Sequence, residues 1–265
     1  MATKFWIVDT FNKETFHGIP SAVFFLDDLT NEGLLQKVAM EINAPETIFL
    51  KDLKNGTFES VCYTPRQKGM FFGNALYAAA KVINETTNQT NFSIICGIRV
   101  FSVEIEKSGR IKIRFSTVEL EKAPMPVSLN SALNGELLVS LAQCKDDLII
   151  EIRSPKRLLN LTPNSDMLTN IDYNSFIITA DTHYETDLDY DFCAKVFSPR
   201  LGIFHDIITP IACVKLAAYW DSRLQKNEFT ASSGDGKKLL IDCGQEFTHV
   251  MGYCTISTIG DMLSL

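Results

Sequence analysis

The feature that most constrains this chain is a pair of long apolar helical segments, each set within a run of strand-like sequence. Gly73-Asn-Ala-Leu-Tyr-Ala-Ala-Ala-Lys-Val-Ile83 has Lys81 as its one charged residue. Alanine and leucine favour helix, and a helix that is apolar nearly all round must be enclosed by other structure. A second segment, from about 209 to 224, carries Ile211, Val214, Leu216, Ala217, Tyr219, Trp220 and Leu224. Each helix needs a sheet to cover it, which predicts an α+β chain of two similar halves with weak internal repetition.

The flanking sequence supplies those sheets. β-branched and aromatic runs predict strands over 4–11, 22–26, 46–50 and 58–64, with a turn at Gly18-Ile-Pro20. Leu34, Leu35, Val38, Ala39 and Ile42 recur at three- and four-residue spacing after Thr30-Asn31, so 31–43 reads as an amphipathic helix. Strands are expected near 92–97, 99–106 and 110–116. Two prolines and lost periodicity at 118–128 mark a junction, giving an N-terminal domain over 1–120 and a C-terminal domain over 121–265, whose last strand can return to the first. The second half is expected to hold a helix at 130–143, strands at 147–153, 174–180 and 192–197, the long helix, and strands at 238–243 and 248–257.

Composition narrows the partners. The chain has 265 residues, 46% hydrophobic, with 25 basic against 32 acidic residues and a net charge of −7, so it lacks the basic footprint of a nucleic-acid or anionic-membrane binder. No apolar run reaches the roughly 18 residues of a membrane span, and no secretory leader stands at Met1, which points to the cytoplasm. The seven cysteines lie far apart with no C-x-x-C pair, as expected of reduced, buried thiols. Five Asn-x-Ser/Thr triplets, at Asn55, Asn84, Asn88, Asn91 and Asn160, read as plain Asn- and Thr-rich sequence in that compartment.

Metal and nucleotide chemistry find no motif. His17, His183, His205 and His249 offer no i, i+4 pair, and Asp187-Leu-Asp-Tyr-Asp191 lacks the glycine and closing glutamate of a calcium loop. Gly234-Asp-Gly-Lys237 lacks the spacing of a phosphate loop. The chemistry left is proton transfer by carboxylates, with a small carboxylic acid held at helix N-termini across a domain cleft. The loops that would end at those termini are Phe72-Gly73-Asn74 and Asp206-Ile-Ile-Thr209-Pro-Ile211. Glu46, between a helix and an apolar strand, is the carboxylate whose burial would raise its pKa toward the working pH. On spacing alone the plainer readings are favoured: Glu46 as a solvated loop charge, Asp206 as a helix N-cap and Pro210 as a first-turn proline.

An ordered set of short motifs decides between those readings: Val8-Asp-Thr-Phe11, Gly18-Ile-Pro-Ser-Ala-Val23, Pro45-Glu-Thr-Ile-Phe49, Phe72-Gly-Asn74, Val196-Phe-Ser-Pro-Arg-Leu-Gly202, Asp206 and Ala218-Tyr-Trp220. Together they resemble the phenazine-biosynthesis PhzF-like isomerase family along nearly the whole chain. The resemblance implies the diaminopimelate-epimerase-like fold, two pseudo-symmetric domains each with a mostly antiparallel sheet around a central helix, commonly as a homodimer. It implies isomerisation of a small carboxylate-bearing molecule without cofactor or metal, as with a dihydro-3-hydroxyanthranilate. Glu46 falls on the family's catalytic glutamate and Asp206 on its second-domain aspartate, with Gly73, Asn74, Thr209 and Ile211 at the substrate.

The departures from that pattern are local. Where the family usually has Gly-His, this chain has Gly73-Asn74, so a titrating imidazole becomes an amide that only hydrogen-bonds. Gly-Asn is the pairing of diaminopimelate epimerases, but their two catalytic cysteines fall on Phe72 and Thr209 here, which contradicts a thiol-based racemase. Pro210 removes an N–H donor and Ile211 replaces a hydroxyl. These changes keep open an alternative, a catalytically impaired protein of this fold that works by binding or scaffolding.

Overall fold

In the computed structural model the described residues are 2–69, 73–182, 188–201, 208–233 and 237–263. The chain forms two compact units, Met1–Phe115 with Met251–Leu265, and Ser116–Val250. The first unit holds β1 (Thr3–Thr10), β2 (Ile19–Phe25), α1 (Glu32–Ile42), β3 (Glu46–Asp52), β4 (Thr57–Tyr63), β5 (Lys68–Gly69), α2 (Gly73–Thr87), β6 (Asn91–Cys96), β7 (Arg99–Ile105) and β8 (Ile111–Ser116). The second holds β9 (Glu121–Lys122), α3 (Leu129–Ala132), β10 (Leu138–Cys144), β11 (Asp147–Ile152), α4 (Pro155–Leu159), α5 (Ser165–Thr169), β12 (Ser175–Asp181), β13 (Phe192–Phe197), α6 (Pro210–Leu224), β14 (Glu228–Ser232), β15 (Lys238–Cys243) and β16 (Phe247–Gly252). The final strand, β17 (Cys254–Met262), pairs antiparallel with β1 in the first unit.

The pairing pattern repeats between the units. In the first, β1–β2 is antiparallel, β2–β3 parallel, β3–β4 antiparallel, β4–β6 parallel and β6–β7 antiparallel. In the second, β10–β11, β11–β12, β12–β13, β13–β14 and β14–β15 follow the same alternation. The sheets are thus mixed, with each parallel pair joined by a helical crossover. The fold is α+β.

In the first unit β2 and β3 are covered on both faces, and pleat alternation sorts their residues. Ala22, Phe24, Phe49 and Tyr63 join α1 residues Leu35, Val38 and Ala39 in one cluster. Phe5, Phe24 and Phe49 stack in line there, with centroids 5.5 and 5.2 Å apart. Ser21, Val23, Glu46, Ile48 and Leu50 alternate with these and face α2, which packs on β1, β2, β3 and β17. Ten of the 15 residues of α2 are buried, including the run Gly73–Ala80, so it is the enclosed helix its composition predicts. Helix α1 is bounded by asparagine at both ends. The Asn31 side chain accepts from the Leu34 N–H at 3.2 Å, and Asn43 adopts φ 54°, the left-handed conformation that stops a helix.

Several expectations fail for local reasons. A helix over 130–143 does not form: Asn134 and Gly135 take φ values of 55° and 75°, which end α3 after one turn, and β10 then pairs with β11. The turn expected at Gly18-Ile-Pro20 is shorter, because β2 already starts at Ile19 with Pro20 opposite Asp9. The stretch 248–257 is two strands, interrupted at Tyr253. β14, α4 and α5 lie where no element was expected.

Gly18 fixes how β2 begins. A Cβ there would sit 2.6 Å from Asp9 Cβ and 2.7 Å from the Thr10 carbonyl oxygen, so the chain can pass this close to β1 only without a side chain. Thr10 Oγ1 then donates to the Ile19 carbonyl at 3.1 Å and locks the register. We expect Gly18→Ala to lower stability by about 1–3 kcal/mol, the usual cost of overpacking, read as a fall in thermal midpoint.

Candidate active site

Glu46 is the first residue of β3, and Gly73, Asn74 and Ala75 open α2. The crossover returns the chain so that the helix start lies over the strand start, and the Ala75 N–H donates to Glu46 Oε2 at 2.7 Å. Glu46 is therefore not a solvated loop charge. The residue is half-buried and faces the α2 side of the sheet among Ile48, Leu50 and Val23, all fully buried. Burial disfavours the carboxylate and pushes its pKa up from 4.5 to about 7, although the Ala75 N–H pulls the other way. Such a carboxyl exchanges a proton near neutrality.

That hydrogen bond also refines the expected anion site. The N–H groups of 73–75 were the candidate donors; the one at Ala75 is committed to Glu46. Around this point lie two further polar atoms. Ser21 stands opposite Glu46 in the parallel β2–β3 register, so both side chains leave the same face. Ser21 Oγ and Asn74 Oδ1 are buried, and among the described residues neither has a hydrogen-bond partner. Sequence reasoning missed Ser21; its one signal was a small hydroxyl in an otherwise apolar strand.

In the second unit Thr209, not Asp206, is the N-cap of α6. Its hydroxyl accepts from the Ala212 N–H at 3.2 Å, and Pro210 is the first-turn proline the sequence predicted. With Pro210 lacking an N–H and that of Ala212 capped, the Ile211 N–H is the first-turn donor not taken up by the cap. Ile211 is half-buried. Asp206 and Phe72 lie outside the described residues, as do His183, His205 and residues 234–236. Asp191, from the segment that resembled a calcium loop, accepts from Lys226 at 2.6 Å and from the Thr230 N–H at 2.7 Å. Among the described residues no three His, Cys, Asp or Glu side chains gather as metal ligands, and no helix is long and apolar enough to cross a membrane.

A carboxyl of raised pKa is thus tied to a helix N-terminus. The family model of phenazine biosynthesis-like proteins matches residues 8–242. The chain belongs to this family. An uncharacterized isomerase of Halalkalibacterium halodurans is 30% identical over 260 residues, covering 95% of each chain. A phenazine biosynthesis-like domain-containing protein of Bos taurus is 28% identical over 262 residues, covering 87% of this chain and 88% of the relative. The fold is that of the solved PhzF-family protein of Enterococcus faecalis, with a TM-score of 0.89 at 22% identity over the whole of both chains. A hydroxyproline epimerase of Agrobacterium vitis, solved with bound trans-4-hydroxy-L-proline, shares that fold at a TM-score of 0.65 and 9% identity, over 98% of this chain and 91% of that one.

The raised carboxyl has a signature in stability. The folded state keeps the Glu46 proton up to about pH 7, whereas the unfolded chain releases it near 4.5. Between those values the folded state holds more protons, so this group's contribution to stability declines as pH rises through the window. Glu46→Gln removes the effect. Its thermal midpoint should match that of the native protein at pH 5 and exceed it at pH 8, measured by calorimetry at the two pH values.

Proposed function

We propose that this chain is a cofactor-independent isomerase that moves a proton between carbons of a small carboxylic acid, with Glu46 as the base that removes it and the acid that returns it. The observation that carries the reading is the Glu46 carboxyl itself, with a pKa of about 7, set in an apolar sheet face at the start of a buried helix. A carbon acid is weak, so a base working on it needs a pKa near the working pH and a neighbouring group that stabilises the developing negative charge. The N–H groups of Gly73 and Asn74, at the positive end of the 15-residue helix α2, suit that second task. Dihydro-3-hydroxyanthranilate and compounds like it, with an acidic C–H near a carboxylate, are the substrate class the family resemblance suggests.

Asp206, Thr209 and Ile211 enter the proposal through that resemblance, Asp206 as a second carboxylate of the reaction. The structure of this chain adds a restriction. Asn74 cannot relay a proton, so the shuttle falls to Glu46 and not to a residue at the helix start.

The test is exchange into solvent. A dihydro-3-hydroxyanthranilate incubated with the protein in deuterium oxide should gain deuterium at carbon. The rate should rise roughly tenfold per pH unit below the Glu46 pKa and level off above it, as expected of a base that must be ionised. Glu46→Gln should slow exchange by at least about 100-fold. Equal exchange by the native and Glu46→Gln proteins would contradict the assignment, and no exchange by either would favour a binding protein.

A further inference from the structure

Away from Glu46, the fold brings two of the seven cysteines together. Cys62 lies near the end of β4, and Cys96 is the last residue of β6. One edge of β4 pairs with β3; the other pairs first with β6, where Ser60 stands opposite Cys96, and then with β5, where Gly69 stands opposite Cys62. Val61 and Tyr63 join the α1 cluster, so Ser60 and Cys62 leave the other face of β4, the face that Cys96 shares with its register partner Ser60. The result is a hydrogen bond between the Cys62 and Cys96 sulfurs, with the two residues 1% and 5% exposed.

The surroundings mark Cys96 as the reactive member. The bond to Cys62 is the main influence on its thiol, and together with Ser60, Arg99 and Lys68 it outweighs burial and brings the pKa down from 9.0 to about 7. Arg99 faces Cys96 across the two-residue turn Gly97-Ile98, and Ile98 is fully exposed, so Cys96 sits one tight turn from solvent. Burial pushes the thiols of Cys144, Cys213, Cys243 and Cys254 the other way. Peroxides react with thiolates, which cationic neighbours favour, and a second thiol within reach lets oxidation end at a disulfide.

We propose that Cys62 and Cys96 are a redox-active dithiol that a hydroperoxide closes to an intramolecular disulfide. The Cys96 thiolate attacks a peroxide oxygen: an S–O bond forms as the O–O bond breaks, and the departing hydroxide or alkoxide takes the proton the thiol gave up. Cys96 is then a sulfenic acid. The Cys62 sulfur attacks the Cys96 sulfur next, an S–S bond forms as the S–O bond breaks, and water leaves with the Cys62 proton. Two thiols give up two electrons and the peroxide takes them, ending as water and an alcohol or a second water. The bond ties β4 to β6 around the intervening β5 and α2. Cys62 also stands opposite Ile48, which follows Glu46 on the same face of β3. None of this chemistry depends on the reading of Glu46.

The test maps thiols in the full chain, reduced, freed of reductant and treated in native buffer with a few equivalents of hydrogen peroxide. The intact mass should fall by two hydrogens, and five of the seven thiols should still alkylate after unfolding. Digestion without reductant should release a linked peptide pair carrying Cys62 and Cys96, and dithiothreitol should return all seven thiols. In Cys62→Ser the reaction should stop at a Cys96 sulfenic acid that dimedone traps; in Cys96→Ser, Cys62 should stay reduced. Seven thiols left after peroxide, a link between any other pair or between molecules, or Cys96 driven straight to the sulfinic acid in the native chain overturns the proposal. A Cys62–Cys96 bond that forms only in urea overturns it too, since it then owes nothing to the fold. The mapping of the native chain decides the matter even where a variant fails to fold.

Discussion

The site depends on one hydrogen bond between a strand and a helix, the 2.7 Å contact from the Ala75 N–H to the Glu46 carboxylate. It joins the first residue of β3 to the first turn of α2, two points 29 residues apart in sequence. It satisfies one of the donors that every helix start leaves open. It also holds a carboxyl on a sheet face lined by Val23, Ile48 and Leu50, and its burial there is what raises its pKa. Burial and the helix N–H act in opposite directions on that proton, and burial wins. A carboxylate with more water around it would titrate near its ordinary value, and one with several N–H donors would titrate lower still.

The rest of the first unit serves to keep that point in place. Helix α2 can lie against β2 and β3 because its run of alanines brings its backbone close to the sheet, and α1 seals the opposite face with a stacked row of phenylalanines. Gly18 lets β2 begin tightly against β1, and the β2–β3 register then sets Ser21 opposite Glu46. The β2–β3 crossover carries α1, and the chain from β4 returns through α2, so the same pair of strands is packed by one helix on each face. The second unit repeats the strand alternation, but its helix start is different: Thr209 caps Ala212, Pro210 brings no donor, and Ile211 offers an aliphatic side chain. The two units therefore differ at the corresponding helix start.

Much of this was legible in the sequence, for reasons tied to period and composition. α2 announced itself by its alanines and α1 by its spacing after Thr30-Asn31, whereas Glu46 stood out through the family resemblance and not through its spacing. What was illegible depended on the chain's local backbone or on distant pairing. Residues 130–143 have the apolar content of a helix, and only the left-handed pair Asn134-Gly135 breaks it and frees Leu138–Cys144 to pair with β11. Ser21 had no meaning until the parallel register put it beside Glu46. The commitment of the Ala75 N–H to Glu46 likewise needed the tertiary fold, since a helix N-terminus in sequence does not say which of its donors is already taken.

The central claim is that Glu46 is a carboxyl protonated at mildly acidic pH and ionised just above neutrality. Its titration is the most direct measurement: the side-chain carboxyl carbon of Glu46, followed by carbon-13 NMR in protein labelled at glutamate and assigned with Glu46→Gln. The account predicts a midpoint near the raised value of about 7, well separated from the surface glutamates. A midpoint at the ordinary 4.5, together with them, would contradict it.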